Sequence, residues 1–329
     1  MACSTSTSGT GASLRSPAEP PTAGVRHRPA LLSSAPALMV IASLLFALMG
    51  VCVKLASARY AAGEIVLYRG LVGAASVALL TRWRGGSLRT TLPAMHFWRS
   101  LTGVCALCLW FYAIGHLPLA TAMTLNYMSS VWMALFLIGG AVALGGSRID
   151  ARLVCTVLVG FAGVACVLQP AIERDQLWGG LAGLLSGVLA AMAYLQVTAL
   201  GRAGEPDYRV VFYFSIGGVV AGGLLSPLTG GLHAHSLSGI ALLLAVGLLA
   251  TMAQLMITRA YAIGRTLVNA SLQYLGIGWS FLFGVLWFDD PVTLLALTGM
   301  LLIVGAGIAA ASLRRTVHPA EAAASTIET

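Results

Sequence analysis

Charged residues are scarce in this sequence. Only 9% of its 329 residues are charged, whereas 58% are hydrophobic, and the mean hydropathy is +0.88. A soluble domain carries roughly 25% charged residues, so the composition excludes an ordinary soluble globular protein. Long apolar runs with few charges are typical of membrane-spanning helices. The composition therefore predicts an all-α polytopic membrane protein.

The sequence also lacks the motifs of common enzyme classes. It contains no HExxH, no GxSxG and no phosphate-cradling Gly-Lys motif. His233 and His235 form an HxH in a loop without a third ligand nearby, and we interpret them as solvated. Cys105 and Cys108 have CxxC spacing but lie inside an apolar run, which favours packing over metal binding. We expect no enzyme, no cofactor and no metal, with a membrane enzyme and a channel or scaffold as less favoured alternatives.

The apolar runs predict ten transmembrane helices between two tails. Residues 1–35 are interpreted as a disordered cytoplasmic tail rather than a signal peptide, because no apolar segment precedes a cleavage site. Residues 314–329 form a second tail. The predicted spans are 37–56, 64–80, 100–115, 119–144, 153–168, 178–200, 210–225, 237–260, 266–288 and 292–313.

A repeated motif divides these spans into two halves. The tetrapeptide Tyr-Ala-Ile-Gly begins at Tyr112 and again at Tyr261, each time before an apolar run with a few amides and aromatics. We interpret residues 37–169 and 178–313 as two five-helix repeats. An odd number of spans in each repeat inverts the second copy in the bilayer, as in many secondary transporters.

Arginine placement sets the predicted orientation. Of 19 basic residues only Lys54 is a lysine, and 15 of the 19 fall on one side of the ten-span topology. The positive-inside rule then places both termini in the cytoplasm and the chain in the inner (plasma) membrane. Because the net charge of +8 is distributed among loops in this way, we do not expect nucleic-acid binding.

With these motifs, the chain resembles the drug/metabolite transporter superfamily, and specifically its EamA-type members with two repeats. The resemblance covers nearly all of residues 37–313. It departs at Ser147-Arg148, where Gly-Glu is usual, and at Ser130, where Pro is frequent. The resemblance rests on Arg69, Arg99, FYAIGHLPLATA (Phe111 to Ala122), RAYAIGRTLVNAS (Arg259 to Ser271) and FDDPVTLLALTGMLLIVGAGI, in which Asp290 stands where Glu is usual.

The resemblance implies a ten-helix carrier of small organic metabolites with one central cavity between the repeats. Efflux of an amino acid or a related zwitterionic or anionic metabolite is the first prediction. The alternative is uptake of a vitamin-like or nucleoside-like compound such as riboflavin or S-adenosylmethionine. The expected partners are a small-molecule substrate and the lipid bilayer, and a homodimer is left open.

Ionisable residues inside spans are functional hypotheses by default, because burying a charge in lipid is costly. Lys54 is predicted either to bind an anionic group or to snorkel to water from the end of the first span. Arg69 is predicted either to contact substrate or to tether the helix structurally. Glu64 lies at the outer end of a span, where we interpret it as solvated.

Amides and aromatics concentrate in the fourth, sixth, eighth and ninth spans. Each one taken singly is also consistent with interhelical packing, which such hydrogen bonds stabilise modestly. As a set they suit a small-molecule site, where a few polar groups orient an apolar body. The predicted substrate-binding residues are Lys54, Arg69, Asn126, Tyr127, Trp132, Gln196, Gln254, Gln273, Tyr274 and Trp279.

Overall fold

The computed structural model describes residues 34–116, 124–143, 151–168, 177–288 and 292–313. Within these ranges, all regular secondary structure is helical. The predicted tails therefore lie almost wholly outside the described residues, as do Ser147-Arg148 and Asp290.

Eleven α-helices account for the described spans. Six stretches are long and apolar enough to cross a membrane, namely α1, α2, α6, α7, α8 and the stretch Thr266–Trp287. The predicted all-α polytopic membrane fold is confirmed. The helices are α1 (Ala35–Ala56), α2 (Ala62–Trp83), α3 (Pro93–His116), α4 (Ser129–Ala143), α5 (Ala151–Leu168), α6 (Leu177–Arg202), α7 (Asp207–Leu225), α8 (Leu237–Ile263), α9 (Thr266–Gln273), α10 (Leu275–Phe288) and α11 (Leu294–Leu313).

The third helix begins earlier than the sequence predicts, at Pro93 rather than at residue 100. Proline suits the first helical position because the N–H groups of the first turn have no partner within the helix. The Thr90 hydroxyl accepts a hydrogen bond from the backbone N–H of Leu92, which shapes the approach to this turn. As a result, Arg99 lies in the second turn of α3 rather than at its start.

The fourth and ninth spans are each interrupted next to a tyrosine. The backbone N–H of Tyr274 donates a hydrogen bond to the Ser271 carbonyl, three residues earlier. The Tyr274 carbonyl accepts one from the backbone N–H of Ile277, three residues later. These short i to i+3 bonds tighten the chain between α9 and α10. In the first half, residues 124–127 are helical, Met128 forms a turn and α4 follows. The sequence predicted continuous spans here because neither break contains proline.

Helices of the first half pack chiefly on helices of the second half. The main pairs are α1 with α8, α2 with α7 and α8, α3 with α6 and α7, and α5 with α11. Glycines bring the backbones together. A Cβ on Gly70 would lie 2.7 Å from the Val219 backbone nitrogen, and one on Gly163 would lie 2.7 Å from the Gly299 carbonyl oxygen. The centre of the molecule is therefore the surface between the two halves.

Candidate functional site

A small polar cavity lies at this central surface, between α2, α7 and α8. It has room for about one water molecule. Arg69 from the first half and Gln254 from the second half, both predicted site residues, line it. The lining residues are Arg69, Val211, Phe214, Ser215, Ala250, Thr251 and Gln254.

Two arginines share one aromatic ring beside this cavity. The guanidinium carbon of Arg69 lies 5.3 Å from the centroid of the Phe214 ring, and that of Arg99 lies 4.4 Å from the same centroid. Arg99 is only 3% exposed. The ring therefore serves as a common cation–π partner for two positive charges.

Neither arginine has a carboxylate partner among the described residues. The Nε atom of Arg69 is buried without a hydrogen-bond partner, and so are Nε and Nη1 of Arg99. Burying a charge is costly unless it is paired and hydrogen-bonded. This part of the site is positively charged and has unused donors.

A tyrosine–amide network joins three helices of the second half. The Tyr261 hydroxyl donates to Oε1 of Gln273 at 3.1 Å, and Nε2 of Gln273 donates to the Tyr194 hydroxyl at 3.1 Å. The Tyr194 and Tyr261 rings stack with their centroids 5.1 Å apart. Gln273 therefore links α9 to both α8 and α6.

Other predicted residues form separate contacts. Gln196 accepts a hydrogen bond from the Thr102 hydroxyl at 2.9 Å, which joins α6 to α3. Asn126 donates to the Ser186 hydroxyl at 3.2 Å. These two amides bridge helices within the bundle, and neither lines the cavity.

The two predicted tyrosines of the broken spans lie near each other. The ring centroids of Tyr127 and Tyr274 are 6.3 Å apart, and Tyr274 is fully buried. A Cβ on Gly276 would lie 2.8 Å from the Tyr127 hydroxyl, so only glycine leaves room for that ring. The breaks of the two halves thus meet inside the bundle.

The remaining predicted residues lie apart from the cavity. Lys54 is exposed in the last turn of α1. Trp132 stacks on Phe136 with centroids 6.5 Å apart. The indole nitrogens of Trp132 and Trp279 are buried without hydrogen-bond partners.

At one end of α2, Glu64 joins two histidines of the second half. Glu64 is fully buried, and its carboxylate lies 2.9 Å from Nδ1 of His233 and 3.5 Å from Nε2 of His235. The backbone N–H of His233 also donates to this carboxylate. The expectation of a solvated Glu64 is therefore wrong, because its carboxylate is buried against the two histidines. His233 and His235 lie in an exposed loop, as expected, but both contact Glu64. We call these three residues the Glu64 cluster.

At the opposite end of α2, a second acid joins a histidine across the halves. Nε2 of His96 at the start of α3 lies 2.9 Å from the Glu205 carboxylate, and Arg209 lies 3.5 Å from it. Burial raises the pKa of Glu205, but hydrogen bonds from His96 and Thr90 and the charges of His96 and Arg209 outweigh it, so its pKa is below the ordinary value. We call Glu205, His96 and Arg209 the Glu205 cluster.

Sequence reasoning missed Arg99 and both clusters. Arg99 was counted among the loop charges because its helix was expected to begin at residue 100. Pro93 was a usable signal, because proline is favoured at the first position of a helix. A helix that begins at Pro93 places Arg99 in its second turn. The clusters join residues more than 100 positions apart, and no local pattern in the sequence indicates such pairs.

Comparisons with known proteins agree with this architecture. The sequence model of the EamA-like transporter family matches residues 33–169. The chain is 34% identical over 280 residues to a protein named Pseudopaline exporter CntI from Pseudomonas aeruginosa, covering 83% of this chain and 95% of the relative. A protein named Riboflavin transporter from Rhizobium johnstonii is 26% identical over 227 residues, covering 68% and 73%.

A solved crystal structure shares the fold. It superposes with a TM-score of 0.73 at 20% sequence identity, covering 86% of this chain and 99% of that one. Because a relative named as an exporter is 34% identical over most of both chains, the predicted relationship is confirmed. The chain belongs to the EamA-like transporter family and is a membrane transporter rather than an enzyme.

Proposed function

We propose that this carrier exports an amino acid or a related zwitterionic or anionic metabolite by alternating access. The observation that carries the proposal is the polar cavity between the two halves, which Arg69 of the first half and Gln254 of the second both line. In secondary transporters built from inverted repeats, substrate binds near the bilayer midplane at the repeat interface. The 34% identical relative is named as an exporter, which supports the outward direction.

The proposed membrane topology follows from the repeats and from the distribution of arginines between the loops. Residues 37–169 and 178–313 are the two repeats, inverted with respect to each other, and both termini lie in the cytoplasm at the inner membrane. The Glu64 cluster then lies at the outer face and the Glu205 cluster at the inner face. One chain lines the whole cavity, so the proposal needs neither a second copy nor a nucleic-acid partner.

Alternating access accounts for the small size of the cavity. A site that encloses a metabolite has a volume of about 300 Å³ or more, far larger than one water molecule. Each cluster ties the first half to the second at one end. Separation of the halves at one end, with the other cluster intact, opens the cavity to one face only.

A substrate-independent experiment tests the proposal. The purified full-length chain is reconstituted into liposomes loaded with an isotopically labelled bacterial metabolite extract, and the compounds that leave are identified by mass spectrometry. We expect a small set of labelled amino acids or amino-acid derivatives to leave faster than from protein-free liposomes. If no labelled compound leaves faster, the proposed function is wrong.

Uptake of a riboflavin-like compound is the second candidate. A 26% identical relative is named as a riboflavin transporter, and the aromatic ring of Phe214 lines the polar cavity. The same liposomes distinguish the two functions when labelled riboflavin is included. Selective movement of riboflavin with no amino-acid derivative would favour this second function.

A further inference from the structure

We infer that Arg69 and Arg99 together form a clamp for a carboxylate group of the substrate, so that this carrier selects compounds with net negative charge. The inference rests on the proposed function and names the substrate class of the same site. It also assigns Arg99, which does not line the small cavity, as a second substrate-binding arginine. The two arginines approach the site from α2 and α3, while Phe214 comes from α7 of the other half.

The first step is the charge of the site. The described residues include three acids, and each is engaged at a helix end. Glu64 and Glu205 contact histidines, and the Asp207 carboxylate accepts the N–H of Tyr208. The charges of buried Arg99 and partly buried Arg69 are therefore not neutralised by any acid in the described parts of the chain. A buried, uncompensated charge is strongly unfavourable, and an anionic ligand removes this cost.

The second step is the free hydrogen-bonding capacity. Nε of Arg69, and both Nε and Nη1 of Arg99, are buried without partners. A guanidinium is planar and donates within its plane, in a fork that matches the two oxygens of a carboxylate. A guanidinium that rests on an aromatic ring uses its face and keeps those edge donors for a ligand. Phe214 can thus hold both cations without occupying their donors.

The third step is the position of the pair. Arg69 begins the third turn of α2, and Arg99 lies in the second turn of α3, which runs in the opposite direction. At 1.5 Å per residue each is roughly 10 Å from its own end of the bilayer-spanning segment. Both guanidinium groups converge on Phe214, which is 6% exposed. The charges are therefore buried within the membrane-spanning region rather than at either surface.

The fourth step is discrimination. A site that holds two cations rejects polyamines and quaternary ammonium compounds by like-charge repulsion. It also disfavours the amide of a carboxylic acid. The NH₂ group of the amide is a donor that would face the guanidinium donors, and the neutral amide leaves both positive charges uncompensated. The neutral polar lining can orient the rest of the substrate through the Gln254 amide and the acceptor oxygens of Ser215 and Thr251, whose hydroxyls donate to carbonyls of their own helices.

The test uses pairs of probes that differ in charge but hardly in shape. Thermal unfolding of the purified full-length chain in detergent is measured with two such pairs at constant ionic strength, succinate with succinamide and glutarate with glutaramide, because these diamides carry no carboxylate. We expect near-saturating carboxylates to raise the Tm of the wild-type chain by about 2–4 °C or more, and the amides to raise it less. Equal shifts for acids and amides would overturn the clamp.

The variants separate binding from structure. We expect Arg99→Gln and Arg69→Gln to abolish the carboxylate shift, and Arg99→Gln to raise the Tm of the ligand-free protein because it removes a buried uncompensated charge. A structural tether would instead lower that Tm. Arg99→Lys keeps the charge but loses the fork, so an intermediate shift is expected. Arg82→Gln, at an exposed site in the last turn of α2, is the matched control and keeps the full shift.

The liposome experiment distinguishes failure of the clamp from failure of the transport proposal. We expect carboxylate-bearing compounds to leave wild-type liposomes, and Arg99→Gln to slow their exit about tenfold or more, the loss of one charged hydrogen bond. If carboxylate-bearing compounds leave at equal rates from wild-type and Arg99→Gln liposomes, the chain is a carrier without the clamp. If nothing leaves, the proposed function itself has failed.

Discussion

The carboxylate of Glu64 lies 2.9 Å from Nδ1 of His233, and this contact joins the start of α2 to the loop that follows α7. At the other end of α2, the contact between His96 and Glu205 has the same length and also joins the two halves. In each pair, the acid and the histidine come from different halves. An acid–histidine contact therefore joins the two halves of the carrier at each end. The first half supplies the acid at one end and the histidine at the other.

Glu64→Gln is expected to lower the free energy of unfolding by about 1–3 kcal/mol, since hydrogen bonds to a charged group contribute about that much. The amide has one acceptor oxygen instead of two and lacks the negative charge that faces His233 and His235. Thermal unfolding in detergent near neutral pH measures the change. Asp207→Asn is the control, because among the described residues its carboxylate accepts a hydrogen bond from the neighbouring backbone N–H alone, and about 0.5 kcal/mol or less is expected. Equal stability of wild type and Glu64→Gln would contradict the structural role.

The Glu205 cluster predicts a pH dependence of stability. Because the pKa of Glu205 in the folded protein is below its ordinary value of 4.5, its stabilisation is fully present above that value and is lost as pH falls through the folded-state pKa. We expect the Tm to fall as the pH is lowered below about 4.5, and Glu205→Gln to show a smaller fall over the same interval. If the Tm of the wild type and of Glu205→Gln falls by the same amount over this interval, Glu205 does not contribute to the pH dependence of stability.

The membrane architecture could be predicted from the sequence, whereas the site could be predicted only in part. Long apolar runs predict membrane-spanning helices because a helix satisfies all its backbone hydrogen bonds internally, which lipid requires. Arg69 and Gln254 were predicted from their polarity inside spans, and they do face one cavity. Arg99 was missed because a charge near a span end is indistinguishable from a loop charge until the helix start is known.

The buried acid clusters could not be predicted for a different physical reason. An acid near a helix end is usually solvated, so Glu64 taken by itself favours the surface interpretation. Its burial depends on His233 and His235, which reach it only because α2 packs against α7 and α8. Tertiary packing thus decides the environment of Glu64.

Cysteine labelling tests the proposed orientation. Ala58 and Ala234 lie in the loops at the Glu64 end, Ala203 lies in the loop at the Glu205 end, and all three are exposed. We expect a membrane-impermeant maleimide to label Ala58→Cys and Ala234→Cys on intact cells, and to label Ala203→Cys only after the membrane is permeabilised. The wild-type chain, with its native cysteines, provides the background. The reverse pattern would place the termini outside.

The tyrosine–amide network predicts a graded effect on stability. Gln273→Leu removes the hydrogen bonds to Tyr261 and Tyr194 together, whereas Tyr261→Phe removes only the first. Interhelical hydrogen bonds in membranes contribute about 0.6–2 kcal/mol each, so Gln273→Leu is expected to destabilise more than Tyr261→Phe. Thermal unfolding of the two variants measures the order. A larger loss from Tyr261→Phe would show that its hydroxyl has a more important partner than Gln273.

Two adjacent glycines of α7 test the close packing of the halves. A Cβ on Gly222 would overlap the backbone of Leu67 on α2, whereas a Cβ on Gly223 would meet nothing within 4 Å. Gly222→Ala is therefore expected to destabilise the protein by about 1–3 kcal/mol through overpacking. Gly223→Ala adds helix propensity without a clash, and a change between zero and about 1 kcal/mol of stabilisation is expected. Thermal unfolding of both variants measures the difference, and similar Tm values would mean that α2 and α7 can separate without cost.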